Sequence, residues 1–394
     1  MNTVRRLMSV LRKCAREQKR DLWVLGLSLA FAPLFVLLYY MMTGGTGSTS
    51  YAVFVINQDA PVIMENGVRL SAGEEVVTGL KAITYVNGNP LMRVLPIAGQ
   101  AEAEIRLRNR EASLLLVIPP DFSAAIAAFR QGDTSARSAL TFVGDLTNPT
   151  YTVAAVMVKT VSENFISTIT GVERPVQLIE IPLGNSATRS EFENYVPALF
   201  IFAIILIIFQ AAMTPAREVE SGTLRRLRLT RVNSFELLGG ITAWLVLIAM
   251  LEMALTFVVA LACGFCSQGS LWLAILVGAI ASLSVIGAGM IVAAFSKTVS
   301  QAFVIANFPL GLFMFMSGVI YPLPRTPLFI LFGQAVAIYD VLPTTHAVLA
   351  LNKIFTLGLG FKDILFELSA LTLLSVIYFA VGVCIFQKRQ MKVD

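Results

Sequence analysis

Residues 23–42 read WVLGLSLAFAPLFVLLYYMM, twenty residues without a single charged side chain. At about 1.5 Å per helical residue, such a run can cross the roughly 30 Å hydrocarbon core of a bilayer. The rest of the chain has the same character, because 56% of its 394 residues are hydrophobic and only 14% are charged. Soluble domains usually contain about one quarter charged residues. We therefore predict a polytopic α-helical membrane protein, and the long charged leader before this run argues against a cleaved signal.

Six apolar segments are long enough to be transmembrane helices. They lie at 22–42, 196–213, 237–262, 271–295, 302–321 and 364–386. Lysine and arginine concentrate in the leader 1–21, in the loop 214–236 and in the tail, and such basic segments mark the cytoplasmic side of a membrane. Six spans with this charge pattern place both termini in the cytoplasm and residues 43–195 outside it.

The insert 43–195 has the charge balance of a soluble domain, and its hydrophobic periodicity alternates between that of strands and that of helices. The predicted strands are 51–56, 91–96, 113–118 and 138–143, and the predicted helices are 71–83, 101–109, 121–129 and 151–169. This alternation predicts an inserted extracytoplasmic α/β domain with a mixed sheet. We expect such a domain to be available to a periplasmic partner.

The link between the fifth and sixth spans, residues 322–362, is too long for a simple turn and is interrupted by prolines. We predict a pair of short helices that enter the outer leaflet, beginning with the apolar run 328–338. A surface loop with amphipathic helices is the alternative. We expect His346 to cap a short helix at the outer surface and Glu367 to be a solvated residue at the end of span six.

The loop 214–236 carries more charge than a turn between two membrane helices needs. It contains AREVESGTLRRLR at 216–228, in which two glutamates precede a Ser-Gly-Thr that permits a bend. Anionic lipid would account for the arginines, because each base near the surface contributes about 1 kcal/mol. It does not account for Glu218 and Glu220. We predict an amphipathic element that offers carboxylates and guanidinium groups to a protein beneath the membrane.

The stretch EVESGTL at 218–224 resembles the E-x-E-x-G-T-L stretch of ABC-2 type exporter permeases, which follows their second span. VINQD at 55–59 resembles the V-x-N-x-D turn that opens the family's outer domain, and LVIPPDF at 116–122 resembles another of its stretches. The basic leader, the outer insert and the basic tail extend the resemblance over nearly the whole chain. Arg225, Arg231 and Gly240 depart from it, since the family often has an acidic residue, a proline and a lysine there.

The resemblance implies a permease subunit of an ATP-driven exporter in a bacterial inner membrane, which moves a lipophilic or amphipathic compound such as a drug or a lipid. It implies two copies of a separate ATPase subunit, which would bind ATP and Mg, and a second permease chain, identical or similar. This chain would then hold no cofactor of its own. The implied ATPase-coupling residues are Arg217, Glu218, Glu220, Gly222, Thr223, Leu224, Arg225 and Arg228. Because this stretch is unusually basic, we expect an acidic groove on the ATPase.

Glu252 lies in the middle of span three, where a carboxylate costs roughly 2.5–3.5 kcal/mol on insertion scales. It either lines a transport pathway, contacting a cationic group or taking up a proton, or it pairs with a polar group such as Gln210 or Asn307 and only holds the helices together. Phe313 and Phe315 on span five are further pathway candidates, because an apolar surface suits an amphipathic cargo.

Several classes of function are not favoured by the sequence. It contains no G-x4-G-K-[ST] phosphate loop and only one histidine, so we do not expect an enzyme. Its basic residues cluster at span ends, so we expect contact with membrane lipid and not with nucleic acid. Cys263 and Cys266 are either packing residues or a disulfide on an oxidising face.

Three other functions remain open at this point. Glu252 would suit a secondary transporter driven by an ion gradient, although no inverted repeat is evident. It would equally suit an ABC-2 type exporter of cations. A receptor or assembly factor would need only the outer domain, and neither the charged loop nor Glu252.

Overall fold

The computed structural model describes residues 3–20, 22–42, 50–64, 67–85, 88–109, 111–133, 135–146, 148–172, 190–224, 234–320, 328–331 and 334–391. The chain forms two compact units. One consists of Met1–Gly47 with Pro182–Asp394, and the other of Ser48–Ile181. The first, the helical unit, begins with α1 (Thr3–Arg20) and α2 (Leu22–Met42).

The second unit, called here the α/β unit, follows the predicted order of strands and helices. Its elements are β1 (Tyr51–Asn57), β2 (Val62–Ile63), β3 (Arg69–Leu70), α3 (Ala72–Ala82), β4 (Met92–Pro96), α4 (Gln100–Arg108), β5 (Leu114–Ile118), α5 (Phe122–Arg130), β6 (Thr141–Val143) and α6 (Pro149–Thr170). The main sheet has the order β4-β1-β5-β6. β1 is parallel to β4 and β5, whereas β6 is antiparallel to β5. The predicted mixed sheet is therefore confirmed.

The central strands of this sheet are covered on both faces. Val53 and Val55 of β1 point into one hydrophobic cluster, and Phe54 between them points into another. Leu115 of β5 is likewise buried on the face opposite to Leu114. A strand buried on both sides needs a continuous apolar run, which is what these two strands have.

Asp59, directly after β1, ties together the first turns of two helices. Its carboxylate accepts the amide of Gly73 in α3 at 2.8 Å and the amide of Ser123 in α5 at 2.7 Å. The Ser123 hydroxyl adds a third bond at 2.6 Å. The Asp59 amide in turn donates to the side chain of Asn57. The V-x-N-x-D stretch is therefore a structural lock of the α/β unit.

Among the described residues, the helical unit continues with five further long α-helices and one short one. They are α7 (Glu191–Glu220), α8 (Ser234–Ala262), α9 (Leu271–Phe295), α10 (Val299–Met316), α11 (Pro343–Phe355) and α12 (Leu365–Phe386). With α2, all except α11 are long and apolar enough to cross a membrane, so the described residues contain six candidate membrane-spanning helices. α7 extends beyond the predicted 196–213 at both ends, and α10 ends at Met316 instead of at residue 321.

Glycines let α9 and α12 pack closely. A Cβ added at Gly287 would lie 2.6 Å from the backbone of Tyr378. Gly382 approaches Gly287 from the other helix. Close backbone approach at small residues is the usual way in which membrane helices associate. This contact fixes span six against span four.

The link between spans five and six differs in part from the prediction. Phe329–Leu331 and Gln334–Val336 form a short antiparallel hairpin, β7 and β8, where we predicted the first short helix. The run is aromatic and β-branched and carries a glycine at position 333, a pattern that favours a hairpin. The second predicted helix exists as α11, which packs on α7, α9 and α12.

Two expectations for polar residues near this link were wrong. His346 does not cap a helix at the surface. It lies within α11, is only 3% exposed, and its Nε2 is 2.9 Å from the carbonyl oxygen of Asp340. Glu367 is not solvated, because it is buried and accepts a bond from Lys353 at 2.9 Å. Both side chains are buried because α11 packs inside the helical unit, which shields them from water.

Candidate functional site

The stretch predicted to couple to an ATPase begins at the last turn of α7. The helix ends at Glu220, and Ser221 follows as its C-cap. The Ser221 amide donates to the carbonyl oxygen of Arg217, and the Gly222 amide donates to that of Val219. Gly222 has φ of 68°, a left-handed conformation in which glycine carries no steric penalty. The predicted bend in the Ser-Gly-Thr is therefore present.

Glu218 is bound within the chain. It is 7% exposed, and its carboxylate accepts a bond from Nζ of Lys13 in α1 at 2.5 Å. Desolvation lowers the pKa of Lys13, but the hydrogen bond and the negative charge of Glu218 outweigh it, and the net pKa is raised. Lys13 is therefore charged at neutral pH and neutralises a buried carboxylate.

α1 holds the start of α8 in the same way. Arg6 lies 3.4 Å from the carboxylate of Glu236, which is 4% exposed. Arg6 and Lys13 are seven residues apart and so lie on one face of α1, about 10 Å from each other. Glu218 and Glu236 lie near the two ends of the loop 214–236. The N-terminal helix thus clamps both ends of this loop, and we call α1 with these two ion pairs the α1 clamp.

Packing supports the α1 clamp. Val10 and Cys14 of α1 are buried in one cluster with Leu224 and Leu237. A Cβ at Gly240 in α8 would lie 2.6 Å from Cβ of Val10. This close approach gives a physical reason for glycine at position 240, where the family resemblance predicts a lysine. Burial raises the pKa of the Cys14 thiol to about 11, which fits a packing residue.

Glu220 makes a second connection, to α10. Its carboxylate accepts the backbone amide of Val299, the first residue of that helix, at 2.8 Å. Thr298 caps the same helix by accepting the amide of Gln301 at 3.2 Å. A carboxylate at a helix N-terminus is favourable, because it satisfies an otherwise open amide and interacts with the helix dipole. The end of α7 is therefore joined to both α1 and α10.

The remaining predicted coupling residues are only partly brought together. Arg217 is exposed, Thr223 shares a 2.8 Å hydrogen bond with Ser221, and Leu224 is buried. Arg225 and Arg228 lie outside the described residues. The α1 clamp was not predicted, because the basic character of the leader by itself indicates only contact with lipid. The sequence did contain a signal for the α1 clamp: Val10 and Cys14 lie on one face of this helix, whereas basic residues occupy the other faces.

Gln210 lies in a polar network that joins four helices of the helical unit. Its amide donates to the hydroxyl of Ser28 at 2.6 Å and accepts from Gln18 at 3.0 Å. Gln18 also accepts the indole N–H of Trp244. The network thus joins α1, α2, α7 and α8. Gln210 does not reach Glu252, the partner that we considered for it.

The other predicted pathway residues lie in separate places. Asn307 is exposed on α10 and donates to the carbonyl oxygen of Phe303 in its own helix at 2.9 Å. Phe315 is also exposed, whereas Phe313 is buried against Tyr378 of α12. Glu252 is 2% exposed in α8.

Ligand-holding groups are scarce in the described part of the chain. It contains no cluster of three or more histidine, cysteine, aspartate or glutamate side chains that could hold a metal ion. No disulfide joins Cys263 and Cys266. The amide of Cys266 instead donates to the carboxylate of Glu193 at 3.4 Å.

The six long helices define a multi-pass helical membrane protein. The sequence matches the model of the family described as ABC-2 family transporter protein over residues 19–384. The chain therefore belongs to the ABC-2 transporter family and is a membrane-spanning transporter subunit. No curated protein and no solved structure gave a significant match.

Proposed function

We propose that this subunit is the permease of an ATP-driven exporter and that a separate ATPase subunit docks on the loop 214–236. The observation that supports this best is the double connection at the end of α7, through Glu218 to α1 and through Glu220 to α10. A protein that pressed on this end would move three helices together. A loop that only bound lipid headgroups would need no such connections.

The connections suggest how force would enter the membrane. Closure of two ATPase subunits would displace the end of α7, and the α1 clamp would carry the start of α8 with it, because both helix ends are bound to one rigid helix. Glu220 would pass the same displacement to α10 through the amide of Val299. ATP and Mg would stay on the ATPase. The carboxylates of this chain would fix the register of the contact more than its affinity.

A second permease chain is proposed to cover the outer face of α10. This helix buries only Ala302, Ala306 and Phe313, while Asn307 is exposed halfway along it. Polar side chains inside membranes usually face other helices or a water-filled cavity. The exposed face of α2 is entirely apolar, as lipid contact requires. The exposed amide of Asn307 therefore indicates that another chain covers this face of α10.

The cargo is proposed to be a lipophilic or amphipathic compound, passing between the two copies of α10. Phe303, Phe308 and Phe315 are exposed on this helix beside Asn307. Large apolar side chains with a single amide suit a molecule that has an apolar body and one polar group. Phe313, in contrast, would support the helix from behind.

Two further partners are proposed from charge and position. Basic residues on the exposed side of α1 line an open groove of about 450 Å³. We expect them to contact anionic lipid of the cytoplasmic leaflet. They are Arg5, Arg12, Arg16 and Arg20, beside Lys13. The α/β unit is proposed to lie outside the cytoplasm of a bacterium, where it would be available to a periplasmic protein.

The test is purification of the tagged chain from its native membrane in mild detergent, with mass spectrometry of the retained proteins. We expect an ATPase with a G-x4-G-K-[ST] motif, and its loss in the double variant Arg225→Glu with Arg228→Glu. Lys297→Glu, in another cytoplasmic segment, is the control and should retain it. Glu218 and Glu220 are not suitable for reversal, because their loss would disturb α1 and α10.

Two other outcomes would contradict the exporter proposal. If no ATPase is retained under any mild condition, the loop is a lipid anchor and the exporter assignment fails. Transport that survives ATP depletion and stops when an ion gradient is collapsed would instead identify a secondary transporter.

A further inference from the structure

The helix α8 carries a carboxyl group deep in the membrane. Glu252 is 2% exposed and lies ten residues before Ala262, about 15 Å from the outer end of the helix. It lies eighteen residues after Ser234, about 27 Å from the cytoplasmic end. Neither end of the helix is close enough for the carboxyl group to reach interfacial water.

No charged group neutralises this carboxyl within the described residues. The helices packed on α8 are α1, α2, α7 and α9, and α2 and α9 contain no charged residue at all. The charged residues of α1 lie at the cytoplasmic surface, where Arg6 and Lys13 are bound to Glu236 and Glu218. Those of α7 lie at its two ends. Tyr39 and Tyr40 of α2, and Tyr195 of α7, lie near the outer ends of their helices.

Hydroxyl groups on the neighbouring turns do not donate a hydrogen bond to the Glu252 carboxyl group either. Thr256, one turn further along α8, donates to the backbone carbonyl of Glu252 at 2.7 Å. Ser282 and Ser284 of α9 donate to backbone carbonyls of their own helix. An ionised carboxylate would therefore be buried with neither a counter-charge nor a donor, which costs several kcal/mol.

The same surroundings decide which ligand this group can hold. A metal cation requires several oxygen, nitrogen or sulfur ligands, and the described residues contain no cluster that could supply them. A proton requires only the carboxylate itself. The neutral acid is the form that these apolar surroundings accept.

We propose that Glu252 is a proton-binding site, which is occupied in the packed arrangement of α8 and is emptied when the helices around α8 separate. On separation the O–H bond breaks, the proton passes to entering water and the carboxylate remains. On closure a proton from water returns to the carboxylate. The proton site itself rests on burial alone. Only its link to a transport cycle rests on the proposed function.

The test uses dicyclohexylcarbodiimide on the full-length chain in its native membrane. This apolar reagent adds to a protonated carboxyl to give an O-acylisourea, which rearranges to a stable N-acylurea without loss of a group. Peptide mass spectrometry locates the label. We expect label on the peptide containing Glu252, and we expect it to fall about tenfold for each pH unit once the carboxyl ionises.

Glu367 is the matched control, because it is equally buried but paired with Lys353. It should remain unlabelled. Glu252→Gln should remove the label yet fold normally, since the amide imitates the neutral acid in shape. Absence of label at every pH, or unfolding of Glu252→Gln, would overturn the proposal. Because labelling needs no ATPase, it can succeed even if the exporter assignment fails.

Discussion

Lys13 and Glu218 form the ion pair that holds the C-terminal end of α7. The carboxylate is buried while the Lys13 side chain is 36% exposed, so water screens the pair only from one side. Removing the lysine leaves a buried charge without a partner, which costs more than the pair contributes. The two residues are 205 positions apart, and this distance explains why no local pattern pointed to the pair.

We expect Lys13→Met to lower the free energy of unfolding by about 1–2 kcal/mol, given the partial exposure of the lysine. The double variant Lys13→Met with Glu218→Gln should recover most of this loss, because no buried charge then remains. Thermal unfolding in detergent measures both. Additive losses in the double variant would mean that the pair does not couple α1 to α7.

The pH dependence of this pair has a definite sign. The pKa of Lys13 is raised from 10.5 in the folded protein, so the stabilisation is fully present below that value. It is lost as the pH rises through the higher folded pKa. We therefore expect the difference in melting temperature between wild type and Lys13→Met to stay constant around neutral pH and to shrink only in strong alkali. A difference that already shrinks near neutral pH would contradict this.

Asp59 should matter for stability and not for transport. It accepts three hydrogen bonds, and we expect Asp59→Ala to destabilise the isolated segment 48–181 by about 1–3 kcal/mol in urea unfolding. Asp133→Ala is the control, because that carboxylate bonds only within an exposed turn. Equal effects of the two substitutions would show that Asp59 does not lock α3 to α5.

At the scale of elements, the contact between α9 and α12 depends on glycine. Gly287→Val would place side-chain atoms where the backbone of α12 now lies, and we expect a loss of more than about 2 kcal/mol. Gly26→Val on α2 is the control, since nothing lies within 4 Å of a Cβ there. Detergent-solubilised yield and melting temperature report both. A normal melting temperature for Gly287→Val would contradict the close packing.

Most elements could be predicted from the sequence, because hydrophobic periodicity and capping residues are local signals. Most spans and the main-sheet strands of the α/β unit lie within a few residues of their predicted positions, and 271–295 matches fully, but α7 extends well beyond 196–213 at both ends. The hairpin formed by Phe329–Leu331 and Gln334–Val336 was missed, because an apolar run of this length fits a helix or a strand. The buried state of His346 was missed for a different reason. It depends on the packing of α11 against three distant helices, which no local pattern encodes.

At the scale of the whole molecule, the exposed amide of Asn307 leads to a prediction about assembly. In a variant without native cysteines, Asn307→Cys should form a disulfide-linked dimer in oxidised membranes. Leu27→Cys, on the apolar exposed face of α2, should not. Separation by non-reducing electrophoresis distinguishes them. Efficient cross-linking at position 27 with none at 307 would place a second copy elsewhere.

The candidate site was partly predictable for a physical reason. Short motifs such as EVESGTL identify the segment, because a tight bend requires glycine in the left-handed conformation. They do not reveal which side chains face outward. Glu218 and Glu220 looked like contacts for a partner, but burial and helix capping give them roles inside this chain. Among the described residues of the stretch, the exposed ones are Arg217, Glu220 and Ser221, and the carboxylate of Glu220 is already bound to the amide of Val299.

The most direct test of the account is photo-cross-linking from Ser221, which is exposed beside the bend at Gly222. A photoreactive phenylalanine at position 221 should capture the ATPase subunit in native membranes, and the same residue at Lys159 in the α/β unit should not. This result would place the ATPase against the end of α7. Cross-links from position 221 to lipid alone, with no ATPase captured, would contradict the central claim that this loop couples the permease to an ATP-hydrolysing partner.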